Sequence, residues 1–162
     1  MANISLTAPK LGRKRDAPKL AELLCACAKE IDLNDDTCKP ENRQKLEKIL
    51  GQECSQRQLW TINQKDNIVG LLILNNFTVC GVKLHEIRYI AVDPDFRCKG
   101  IGPTLIRYTQ AKRGVRGIQA EASNDHSKHV LMKCGFEPTG ECSARGHPKL
   151  FWQRASRRHI NQ

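Results

Sequence analysis

The sequence predicts an α/β fold, a central twisted mixed sheet with helices on both faces. Three observations predict it. Strand-like and helix-like stretches alternate along the 162 residues, the order expected of helices layered over a sheet. An apolar strand ending at Ala91-Val92 runs into a glycine-containing loop and then a helix at about Gly100. The length suits one core and one domain, expected over 1–156, with 157–162 as a disordered basic tail.

Each element has a local reason. Ile4–Ala8 reads as a first strand. Asp16 is placed to cap a helix whose apolar stripe is Leu20, Leu23, Leu24, Cys27 and Ile31, at helical spacing. A polar, acidic link (Asp32, Asp35, Asp36) precedes a second helix from about Pro40 to Leu50, with Gly51 just past its end. Residues 58–64 and 68–75 read as strands joined at Lys65-Asp66-Asn67, and a third strand covers 84–92. A helix over 100–113 carries Ile101, Leu105, Ile106 and Tyr108, with Gly114 as its stop signal. A strand at 116–121, a helix at 124–133 and strands near 136–142 and 149–154 complete the order.

The loop Asp93-Pro-Asp-Phe-Arg-Cys-Lys-Gly-Ile-Gly102 carries the chemistry. The first turn of a helix has backbone N–H groups without internal partners, at the electropositive end of its dipole. Gly100 and Gly102 lack a Cβ, so a bulky anion approaches the backbone closely. Arg97 and Lys99 add full positive charges, and together these groups form a pyrophosphate cradle. The dinucleotide fingerprint does not fit, because Leu105 stands where its third glycine belongs, and the triphosphate loop's Lys-Ser/Thr is missing.

Arg97-x-x-Gly100-x-Gly102, after a strand ending Ala91-Val92-Asp93-Pro94, resembles the acyl-coenzyme-A loop of the GNAT family of N-acetyltransferases. A second stretch supports it. Residues 117–136 resemble the family's next strand and helix, with Asn124 opening the helix and Lys133, Gly135 and Phe136 closing it. Asn124 or Ser123 suits an N-cap and Gly135 a left-handed C′ position.

The resemblance implies acetyl transfer from acetyl-CoA to a primary amine by direct attack. It implies that the strand before the loop parts from its neighbour at a bulge, and that the thioester arm lies in the gap. Ile90, Ala91 and Val92 would hold that arm through their backbones, with the Val92 N–H near the acetyl oxygen. A donor aimed at a developing oxyanion contributes about 3 kcal/mol. Arg97, Cys98, Lys99, Gly100, Ile101, Gly102 and Asn124 would hold the rest of the cofactor. An alkylamine has a pKa of about 10.4 and needs a base. Glu86 stands where many members keep a glutamate, and strand alternation puts it on one face with Arg88, Ile90 and Val92. Glu121 is the reserve. Leu131 replaces the tyrosine that protonates the leaving thiolate in many relatives, leaving water, Cys134 or Ser127, or no acid at all.

Composition bounds the alternatives. The chain has 27 Lys and Arg against 17 Asp and Glu, a net charge of +10. Basic residues crowd the presumed cofactor loop, while two Trp, two Tyr and four Phe make a poor stacking platform for nucleic acid. A non-catalytic module binding acyl-CoA or nucleic acid is the competing class. Eight cysteines without a Cys-x-x-Cys pair read as reduced structural thiols, and no metal site is expected. The start of the chain lacks a secretory signal and no stretch spans a bilayer, so a cytoplasmic enzyme without a membrane partner is expected. The acceptor stays open between a small molecule and a peptide, as does assembly into a homo-oligomer. The acidic link could attract a cationic amine, but it reads first as a solvated loop of turn formers.

Overall fold

A computed structural model describes residues 5–155. The expected tail at 157–162 and Ile4 of the expected first strand lie outside the described residues. The elements are β1 (Lys10–Leu11), α1 (Ala17–Ala26), α2 (Arg43–Ser55), β2 (Leu59–Gln64), β3 (Asn67–Val79), β4 (Val82–Val92), α3 (Ile101–Ala111), β5 (Gly117–Glu121), α4 (Asp125–Lys133), β6 (Glu137–Cys142) and β7 (Pro148–Gln153). The seven strands form one sheet in the order β1-β2-β3-β4-β5-β7-β6. Among the described residues only β4 and β5 pair in parallel, so the sheet is mixed as predicted. Among the described residues no helix is long and apolar enough to cross a membrane.

The central strands are apolar on both faces because both faces are covered. Leu71 and Ile73 of β3 join a cluster with Leu20 and Leu24 of α1 and Leu50 of α2. Leu72 and Leu74, one residue out of phase, join Ile101, Leu105 and Ile106 of α3 on the other face, with Phe136 and Ile118. Alternation along one strand thus feeds two cores.

Four local expectations are corrected. The first strand reduces to a bridge from Leu6 to Gln64 and the two residues of β1. Asp16 holds the N-cap position of α1 without a capping bond, because its carboxylate accepts from Arg13 Nε at 3.0 Å. Gly51 lies inside α2, which runs on to Ser55 because Leu46, Leu50 and Cys54 continue one buried stripe; a Cβ there would press on Lys14 Cγ at 3.3 Å. Cys25 and Cys38 form a disulfide, which the expectation of reduced thiols missed. The turn at Asp35–Cys38 folds back toward the end of α1 and brings the two Cα atoms to 5.6 Å.

Candidate functional site

The site begins with one irregularity. In the pairing of β3 with β4, Ile73 opposes Tyr89 and Leu74 opposes Ile87, so Arg88 is an extra residue and β4 bulges. On the other side, β4 and β5 pair only through His85–Ile118, Glu86–Gln119 and Ile87–Ala120. Beyond Ile87 the two strands part. A cleft of about 790 Å³ opens there, floored by β4 and reaching the mouth of α3.

The bulge also rotates the strand. Ile87, Ile90 and Val92 all pack toward the α3 core, whereas Arg88 reaches Glu53 of α2 on the opposite face, Nη1 to Oε1 at 3.3 Å. The single-face alignment of Glu86, Arg88, Ile90 and Val92 is therefore overturned. Glu86 still borders the cleft. Neither basic neighbour pairs with it, since Arg88 turns to Glu53 and His85 Nδ1 lies 2.6 Å from Asn76 Oδ1. Asp93 donates its N–H to Val69 O at 2.9 Å, so by alternation the peptide groups of Ile90 and Val92 face the gap. Ala91, fully buried, turns its peptide back to β3.

At the end of β4 an Asp-Pro turn redirects the chain, with Asp93 Oδ1 accepting from Asp95 N at 2.9 Å. Cys98 and Gly100 both take left-handed backbone, φ 59° and 76°, and α3 starts at Ile101. A Cβ at Gly100 or Gly102 would meet nothing within 4 Å, so the space over the helix mouth is free of protein. Arg97, Cys98, Gly100, Ile101 and Gly102 line the cleft; Lys99 does not.

The α4 end is built as predicted. Asn124 Oδ1 accepts from Ser127 N at 2.8 Å, and the Asn124 N–H donates to Ser127 Oγ at 3.2 Å, a reciprocal cap. Gly135, φ 88°, follows the last turn. Leu131 is buried and borders the cleft; Cys134 is packed in the core, and the Ser127 hydroxyl donates to Asn124 O at 2.9 Å. Glu121 is exposed at the cleft rim.

Sequence reading missed the wall opposite α3. Cys27, at the end of α1, is buried and donates its thiol to Val92 O at 3.3 Å. Burial pushes that thiol's pKa up, outweighing the pull of Arg97 beside it. Glu30 binds the Arg97 guanidinium through both oxygens, with Nη1–Oε1 at 2.5 Å. That bond holds the Arg97 pKa above its ordinary value. The Glu30 carbonyl accepts from Ser123 Oγ at 2.7 Å and from Asn124 Nδ2 at 3.0 Å. Asp32 Oδ2 lies 3.2 Å from His147 Nε2 and 3.5 Å from Arg145 Nη1. These partners come from distant parts of the chain, and no local signal marks them.

Residues 24–136 match the Acetyltransferase (GNAT) family. The chain belongs to that family. Its catalytic class is therefore acetyl transfer. The fold agrees with that of the PaiA N-acetyltransferase of Thermoplasma acidophilum in complex with coenzyme A, at TM-score 0.72 and 16% identity, covering 93% of this chain and 99% of the other. An N-acetyltransferase of Staphylococcus aureus Mu50 matches at TM-score 0.70 and 18% identity, over 92% and 98% of the two chains. The ribosomal-protein-S5-alanine acetyltransferase of Vibrio fischeri matches at 0.66 and 18%, over 90% and 91%. Among curated protein sequences none matches this chain. In this family setting the bulge, the parted strands and the glycine-lined helix mouth form one cleft.

Proposed function

We propose that the protein transfers an acetyl group from acetyl-CoA to a primary amine by direct attack. The observation that carries this is the parting of β4 from β5 beyond Ile87, which leads into the helix mouth at Gly100–Gly102. The residues fit the cosubstrate: two glycines leave room for a diphosphate against the first turn of α3, and Ile90 and Val92 offer peptide groups to an extended arm. Acetyl-CoA supplies the activated carbonyl and a thiolate leaving group.

The chain's own residues do the rest. Exposed amides at the start of α3 bind the diphosphate, and the Cys98 and Gly100 backbone shapes that concavity. Asn124 fixes the start of α4 beside the arm. The Val92 N–H donates to the acetyl oxygen as negative charge develops there. Glu86, bordering the cleft with no ion-pair partner among the described residues, takes a proton from the ammonium, directly or through water. The freed amine forms the C–N bond as the C–S bond breaks, and the nitrogen gives up its second proton to solvent. Leu131 offers no proton to the departing thiolate, and solvent supplies it.

That substitution favours a second reading, a module that binds acyl-CoA without turnover. Calorimetry with coenzyme A and a thiol-release assay with acetyl-CoA and a panel of amines separate the two. Micromolar binding with steady amine-dependent thiol release is expected. Binding without release establishes the second reading, and no binding at all removes both.

A further inference from the structure

Two carboxylates of the wall opposite α3 stand two residues apart and are satisfied differently. Asp32 is shared between Arg145 and His147, both on the β6–β7 connection. Glu30 has Arg97, and Arg97 belongs to the loop that leads into the helix mouth. The Glu30 backbone is pinned separately, because its carbonyl accepts from Ser123 and Asn124 at the β5–α4 junction. The position of Glu30 thus does not depend on its side-chain partner.

We propose that Glu30 recognises a second positive charge on the acceptor amine, and that cofactor binding is what frees it to do so. This rests on the acetyl-transfer reading above. A diphosphate at the mouth of α3 competes with Glu30 for the Arg97 guanidinium, and two phosphate charges form the stronger fork. Once Arg97 turns to the diphosphate, Glu30 remains in place with its charge uncompensated beside the cleft. Asp32 stays paired with Arg145, so Glu30 joins Glu86 and the rim residue Glu121 as a carboxylate that meets an entering ligand. Glu86 faces the reacting ammonium and Glu30 the distal cation. The acceptor class is an alkyl diamine or another amine carrying a remote cationic group. Coupling is reciprocal: the same pair that masks Glu30 weakens the cofactor.

The test uses the full chain, coenzyme A, 1,4-diaminobutane and n-butylamine. By calorimetry, diaminobutane should bind the coenzyme-A-loaded protein at least about tenfold more tightly than the free protein. Glu30→Gln should abolish that difference and tighten coenzyme A itself several-fold, because nothing then holds Arg97 back. In the thiol-release assay, wild type should prefer diaminobutane over butylamine in kcat/KM, and Glu30→Gln should lose a few-fold of that preference, with Glu30→Asp keeping part of it. Equal diamine affinity with and without coenzyme A, or an unchanged coenzyme A affinity in Glu30→Gln, overturns the proposal while leaving acetyl transfer standing. Failure of wild type to bind coenzyme A overturns the acetyl-transfer reading and this proposal with it.

Discussion

The two walls of the cleft are made of different materials. The α3 wall is one continuous stretch, from Glu86 on β4 through the Asp-Pro turn to Gly102 in the first turn of the helix. It presents mainly backbone: peptide groups of Ile90 and Val92, and the amides over which Gly100 and Gly102 leave space. The facing wall is assembled from three separated pieces, at 27–32, 120–133 and 145–147, and it presents side chains. Its ties span 67 residues from Arg97 to Glu30 and 113 from Arg145 to Asp32. A backbone site needs only the right local conformations, whereas a side-chain site needs the whole fold in place. The first suits a cosubstrate of fixed shape, and the second suits an acceptor that differs from one protein to the next.

The largest expected effect lies where the walls meet. Glu86→Gln should lower kcat by about 10²- to 10⁴-fold, while coenzyme A affinity by calorimetry holds. An unchanged rate would take the base out of β4 altogether and move it to the side-chain wall, at Glu121 or His147. Next comes the Cys25–Cys38 bridge, which ties the end of α1 to the link before α2. For a closed loop of this length, reduction should cost about 3 kcal/mol of stability on the chain-entropy account. Thermal melts with and without reductant measure that loss. Coenzyme A binding should survive it at temperatures where the protein stays folded, because the α3 wall holds no part of the bridge. A parallel loss of coenzyme A affinity would mean that the walls are not separable.

Gly102→Val tests the backbone wall alone. A side chain at that position enters protein-free space, so the melting temperature should hold. Coenzyme A affinity should drop by roughly 100-fold, about 2.7 kcal/mol. Intact affinity would show that the diphosphate does not lie against this turn.

The contrast also explains what the sequence revealed. Gly100, Gly102, Asn124 and Gly135 act through local backbone conformation, so their residue types announce their roles. The bulge at Arg88 has no such mark, and strict alternation along β4 therefore put Glu86 and Ile90 on one face when they lie on two. Gly51 misled for the opposite reason: glycine after a helical stripe usually signals a stop, but Cys54 extends the stripe and Lys14 packs against the gap where a Cβ would be. Cys25 and Cys38 meet because the intervening link folds back on itself, a path that their spacing does not encode. Glu30, Cys27 and His147 carry no motif at all. Each became legible only through a tertiary partner.

Asn124 has a local and a long-range duty, and the smallest effect separates them. Its Oδ1 and N–H close the cap of α4, a local task, while Nδ2 reaches the Glu30 carbonyl 94 residues away. Asn124→Ala should cost about 1 kcal/mol by loss of the cap, read as a shift in denaturant midpoint without a change in slope. Asn124→Ser keeps an N-cap hydroxyl but is too short to reach Glu30, so it should recover most of that stability. Its acceptor KM should still rise a few-fold, because Ser123 alone then positions Glu30. If Ser restored KM along with stability, the Nδ2 contact would be idle, and the pieces of the facing wall would touch without being coupled at this residue.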